Sequence, residues 1–171
     1  MPRYMLDTNV FNHVLDGKVN IDTLQGKDLV ATHVQRDELA NTKDEARKAA
    51  LLKIFGELTP DQAITSSAVA SILVAGGAAA SGGGVVSTES AVWGVSRWGQ
   101  AKWGREDDIF AGMRAELDAL NKRKGNNPQD ILIAETAIRN HWVLITSDTD
   151  LFAVVTKYGG ACANAFALSA A

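Results

Sequence analysis

The stretch Val143-Leu144-Ile145-Thr146-Ser147-Asp148-Thr149-Asp150 runs from an apolar strand pattern straight into an acidic turn. Tyr4-Met5-Leu6-Asp7-Thr8-Asn9 does the same at the other end of the chain. Short apolar runs of this kind read as buried strands. Between them Asp130 heads an apolar helical pattern, Asp130-Ile131-Leu132-Ile133-Ala134-Glu135-Thr136-Ala137. The order strand, helix, strand, helices, helix, strand then predicts an α/β fold, a three-layer α/β/α sandwich around a central parallel sheet.

Working outward, residues 3–7 are the first strand, and Thr8 or Asn9 can cap a helix over Val10–Leu15 that Asp16-Gly17 closes. Leu29–Thr32 is a second strand, followed by a short helix over Val34–Ala40 that carries Glu38. Lys43–Leu58 has helical spacing, with Ala46, Ala49, Ala50, Leu51, Ile54 and Leu58 near one face and Pro60 beyond its end. Residues 61–75 suit another helix. In 105–123, Ile109, Phe110, Met113, Leu117 and Leu120 point toward a core. Lys122-Arg123-Lys124-Gly125-Asn126-Asn127-Pro128 is a basic turn, and Trp142–Thr146 is the next strand. The tail from Gly159 is one last strand or a frayed end.

The 171 residues suit one domain, 1–171, with a composition ordinary for a globular protein: 46% hydrophobic and 22% charged. No apolar run approaches a membrane span, and the N-terminus enters a strand at once, leaving no room for a signal peptide. Cys162 is the single cysteine and has no partner for an internal disulfide, which fits a cytoplasmic protein. The net charge of −3 argues neither for nor against a phosphodiester substrate. Five acids, Asp7, Glu38, Asp130, Asp148 and Asp150, account for more than the whole of it.

In an open parallel sheet the ligand crevice lies beyond the carboxyl ends of the strands. Asp7 and Asp148 follow strands directly and Asp130 begins a helix, so the three can meet there. Unpaired carboxylates in one pocket repel each other, and a hard divalent cation with oxygen ligands relieves that repulsion. Zinc is a poor fit, because His13, His33 and His141 are scattered and Cys162 is alone.

Four segments resemble the PIN-domain nucleases, a family that includes the toxins of VapC-type toxin–antitoxin pairs. They are Met5–Phe11, Val34–Ala40 with Glu38, Asp130–Ala137, and Leu144–Phe152, in the order the family shows them. The resemblance implies an acidic quartet of Asp7, Glu38, Asp130 and Asp148, acting with Mg²⁺ or Mn²⁺ on RNA. Asp7, Asp130 and Asp148 are then expected to bind metal, with Asp150 completing a second, weaker ion site. Glu38 would hold a metal water or orient the attacking hydroxide, while Asn9 and Thr146 orient Asp150 or its waters and stand among the candidate substrate contacts. It further implies an RNA substrate, a cognate antitoxin as partner, and a homodimer.

The middle of the chain departs from that pattern. Residues 76–104 read as an insertion or lid, beginning in a Gly/Ala stretch and continuing into Trp-Gly pairs at 93, 98 and 103. Rings recurring every five residues cannot share one face of a regular element. Arg97, Trp98, Lys102 and Trp103 combine cations with rings, as suits single-stranded nucleic acid or a partner's apolar helix. Glu135 and the three histidines read as ordinary surface or partly buried side chains, and Glu106-Asp107-Asp108 as a helix start.

Two other functions compete. A phosphatase of the haloacid dehalogenase type also begins with an acid after a strand, but needs an acid two residues on, where this chain has Asn9. A non-catalytic RNA- or protein-binding module would retain the acids at a cost in stability.

Overall fold

A computed structural model describes residues 1–59, 84–96, 99–102 and 109–168. The helix expected over 61–75, most of the Gly/Ala stretch, Arg97, Trp98, Trp103, and Glu106-Asp107-Asp108 lie outside the described residues.

The elements in chain order are β1 (Arg3–Leu6), α1 (Thr8–Leu15), a 3-10 turn (Ile21–Thr23), β2 (Asp28–Thr32), α2 (His33–Ala40), α3 (Glu45–Leu58), β3 (Gly84–Val86), α4 (Ile109–Asn121), α5 (Asn127–Arg139), β4 (Val143–Thr146), α6 (Thr149–Lys157), β5 (Ala161–Asn164) and α7 (Ala165–Leu168). The strands form one parallel sheet in the order β3-β2-β1-β4-β5. From β1 the chain builds outward through β2 and β3 on one side and through β4 and β5 on the other. The boundary between β1 and β4 is therefore the topological switch point, where α/β sheets open a crevice.

Side-chain alternation along the strands divides the core in two. Met5, Val30 and Leu144 lie in register and pack on one face, with Met113 and Leu117 of α4, Ile131–Ala134 of α5, and Leu151, Val154 and Val155 of α6. Leu6, Ala31 and Ile145 point to the other face, against Val10 and Phe11 of α1 and Leu51, Phe55 and Leu58 of α3. Burial on both faces explains why these strands are continuously apolar. The three-layer parallel architecture expected from the sequence is present.

Several local expectations change. Asp7, not Thr8 or Asn9, holds the N-cap position of α1. The buried stripe of α3 is Leu51, Phe55 and Leu58, while Ala46 and Ala49 face solvent. Leu120 is 54% exposed, because it lies one turn past Leu117 where α4 leaves the core. Glu135 is fully buried rather than superficial: Arg139 Nε and Ser90 Oγ donate to its Oε1 at 2.9 and 3.0 Å. His33 is buried too.

Within 76–104, Gly84–Val86 pairs with Val30–Thr32 and forms the sheet edge. Thr88 bridges to Ala101, and Trp93 between them is fully exposed. Among the described residues, no helix is long and apolar enough to cross a membrane.

Candidate functional site

Four elements deliver carboxylates to the switch point: β1, β4, α2 and α5. Asp7 directly follows β1 and its backbone N–H bonds Ile145 O at 2.9 Å, placing it beside the end of β4. Although Asp7 sits at a helix N-cap, its side chain makes no capping bond there. Its Oδ2 instead accepts from Thr146 Oγ1 at 2.6 Å. The same Thr146 oxygen accepts from the Asp148 N–H at 3.0 Å. One hydroxyl thus sets both strand-end acids. Asp148 does cap its helix: Oδ1 accepts from the backbone N–H groups of Asp150 and Leu151 at 2.9 and 3.1 Å.

Glu38 arrives through a docking contact of α2. Thr32 and Gln35 form a capping box at the start of that helix. Gln35 Nε2 then donates to Leu6 O at 2.9 Å, fastening α2 to the end of β1. Glu38, three residues on and therefore on the same helix face, accepts a hydrogen bond from the Thr8 hydroxyl. Asp130 sits in the first turn of α5, which opens with Pro128 after Asn126; Asn126 Nδ2 donates to its Oδ2 at 3.0 Å.

The four acids sense one another. Burial pushes Asp130 up to about 9, and the charges of Asp7, Glu38 and Asp148 add to the rise while Lys124 opposes it. Burial likewise raises Glu38 to about 7, opposed by the Thr8 hydrogen bond and assisted by the Asp7 charge. Asp7 rises to about 6, again chiefly through burial, with Thr146 pulling down and Asp148 pushing up. This mutual repulsion marks a crevice that favours positive charge.

Asn9 lies in the same place. Its side chain hydrogen-bonds Asp7, and its buried Oδ1 has no hydrogen-bond partner. An orphaned amide oxygen among carboxylates adds a hard acceptor to the set, and such donors suit Mg²⁺ or Mn²⁺. Among the described residues, no three Asp, Glu, His or Cys side chains are yet drawn together into a ligand cage. The donor chemistry fits a divalent ion, while the cage itself is not closed.

The other expected site residues fall differently. Asp150 lies in the first turn of α6 and supplies its N–H to Asp148. Lys102 Nζ pairs with the buried Glu89 at 2.7 Å, and Asn140 Nδ2 donates to the same Glu89 oxygen at 3.1 Å. Asn140 stands about three helical turns beyond Asp130, so this pair is remote from the quartet. Thr8, Asn126 and Lys124 enter the site without having been expected there. The signal for Thr8 lay in the triplet Asp7-Thr8-Asn9, and for Lys124 in the basic turn just before Asp130. Two clefts, of about 460 and 450 Å³, lie elsewhere, along α4 and between α1 and Ile54, and neither includes the acids.

No family model matches the chain, and no curated protein matches it. Among solved structures it is similar to VapBC2 from Rickettsia felis bound to a DNA fragment from its promoter, at 14% identity and a TM-score of 0.47, covering 95% of this chain and 98% of that one. It is also similar to VapBC-5 from Mycobacterium tuberculosis, of the VapBC family of toxin–antitoxin systems, at 18% identity and TM-score 0.44, covering 96% and 98%. A third is FitAcB from Neisseria gonorrhoeae, at 17% identity and TM-score 0.40, covering 95% and 98%.

Proposed function

We propose that this protein is a divalent-metal-dependent endoribonuclease of the PIN-domain kind, acting as the toxin of a toxin–antitoxin pair. The observation that supports the proposal is the joining of Asp7 and Asp148 through the Thr146 hydroxyl at the β1/β4 switch point, with Glu38 and Asp130 near enough that their charges act with that of Asp7. The RNA substrate and the antitoxin follow from the resemblance of the four segments, as does the homodimer.

Asp7, Asp130 and Asp148 would hold Mg²⁺ or Mn²⁺, with Asp150 at the margin. The ion, when bound, supplies charge neutralisation on the phosphate and lowers the pKa of bound water. The chain's own residues do the rest. Thr146 holds Asp7 and Asp148 in register. Glu38, raised to about 7 and oriented by Thr8, would take the proton from the attacking water as its oxygen bonds phosphorus, while the opposite P–O bond breaks and the displaced ribose oxygen takes a proton from solvent. Asn9 occupies the position at which a haloacid dehalogenase phosphatase needs its second acid, and its amide bonds Asp7 instead.

The test is cleavage of a total-RNA pool with Mg²⁺ or Mn²⁺, wild type beside Asp7→Asn and Asp148→Asn. Discrete cuts lost in both variants and in EDTA are expected. Intact RNA from folded wild-type protein under every condition, or undiminished cutting after verified metal removal, overturns the proposal.

A further inference from the structure

The turn joining α4 to α5 carries three successive cations, Lys122, Arg123 and Lys124, shortly before Asp130 of the acidic crevice. Lys122, Arg123 and Lys124 are all exposed, and the Arg123 side chain is 84% accessible. Asn126 and Asp130 follow directly, joined at 3.0 Å, and Lys124 is a positive charge felt by Asp130. Lys124 therefore sets a positive charge beside the negative site, and Lys122 and Arg123 extend that charge along the turn away from it.

Its backbone is unusual for the residues it holds. Lys122 and Arg123 both have φ of 58°, the left-handed region that favours glycine or asparagine. Gly125, close by, has no positive φ, and a side chain there would meet open space. The residue choice runs against local conformational preference: cations stand where glycine would be easiest, and glycine stands where it is not needed. Local rules are broken most often at functional sites.

The turn is also buttressed. Asn127 is fully buried. It donates from Nδ2 to Asp118 Oδ1 at 2.7 Å and to Asn121 Oδ1 at 2.8 Å, and accepts from Asn121 Nδ2 at 2.8 Å. Arg123 N–H donates to Asp118 O at 3.0 Å. The Arg123 guanidinium lies 3.7 Å from Asp118, a long contact that leaves its exposed donors free for another acceptor. A fixed backbone with outward cations suits the binding of polyanionic backbones, where each phosphate neutralised contributes independently of base sequence.

We propose that Lys122, Arg123 and Lys124 form a phosphate-anchoring subsite for the RNA backbone flanking the scissile bond. The proposal rests on the nuclease reading and names where its substrate is gripped. It places substrate contact on the α4–α5 turn, whereas Lys102 is engaged by Glu89.

The test uses the full chain with Asp7→Asn, so that RNA survives the measurement, and a fluorescein-labelled mixed-sequence single-stranded RNA. Lys122→Gly/Arg123→Gly removes two cations while easing the left-handed backbone, so the variant should fold at least as well as its parent. Its dissociation constant should rise about tenfold, and the slope of log affinity against log salt should become shallower by about 1.4. Lys122→Arg/Arg123→Lys should stay near the parent affinity. With Asp7 restored, the glycine pair should raise KM for cleavage and leave kcat unchanged. Parent-like affinity and salt slope in the glycine pair, with RNA binding intact, overturn this inference alone. So does a loss confined to a labelled polyglutamate peptide, which would assign the turn to an acidic protein segment. A wild-type protein that neither binds nor cuts RNA overturns the nuclease reading and this inference with it.

Discussion

Thr146 Oγ1 donates to Asp7 Oδ2 at 2.6 Å and accepts from the N–H of Asp148 at 3.0 Å, so one hydroxyl joins the acids at the ends of two neighbouring strands. Thr146→Val keeps the shape and removes both bonds. An unsatisfied buried group costs about 1–3 kcal/mol. Cleavage should fall about 10–100-fold, the usual cost of losing the support of a site ligand. Thr146→Ser should retain most activity. Full activity in the valine variant would show that the acids do not need this brace.

The raised carboxyl groups make metal-free protein less stable as pH rises. Below about pH 4 they are protonated in both folded and unfolded chains and cost nothing. Above it the unfolded chain releases protons first, so stability falls as pH climbs through about 6 for Asp7, about 7 for Glu38 and about 9 for Asp130. Asp130→Asn should therefore raise Tm in EDTA at pH 8 by about 3 °C or more, the equivalent of about 1 kcal/mol. The gain should shrink toward pH 4, and Mg²⁺ should stabilise the wild type more than the variant. Thermal denaturation across pH checks this; a lower Tm for Asp130→Asn at pH 8 contradicts it.

The Thr8 hydroxyl lowers the pKa of Glu38, against the burial that raises it. Removing the hydroxyl with Thr8→Val should move the rising limb of the pH–rate profile upward. The displacement expected is about 0.7 of a pH unit, the equivalent of about 1 kcal/mol. An unmoved limb would assign that proton transfer to another group.

Lys102 bears on the role of the Trp-Gly region. Lys102→Ala leaves the buried Glu89 with one fewer charged partner and should lower stability by about 1 kcal/mol, modest because the lysine is largely exposed. Cleavage per folded molecule should be unchanged. Weaker RNA binding at unchanged Tm would instead return Lys102 to the substrate contacts that the sequence suggested.

The placement of Asp7 and Asp148 was legible in one dimension, because each follows a short apolar run that ends in turn-forming polar residues, a pattern that suits a buried strand. Asp130 was legible as the acid heading an apolar helix. Met5-Leu6 and Leu144-Ile145 carry the alternation that fills two core faces, so the sequence by itself determined a parallel sheet covered on both sides and acids at its strand ends. Local hydrophobicity and periodicity are properties of neighbouring residues and can be read without folding the chain. Other features depend on residues far apart meeting in space. Only the tertiary structure decided that Gly84–Val86 closes one sheet edge, that Thr8 orients Glu38, that Glu135 is buried under Arg139 and Ser90, and that Lys124 looks onto Asp130. Hydrogen bonds and charge act through distance, and the distance between residues such as Thr146 and Asp7 is set by how the sheet is ordered rather than by their separation along the chain.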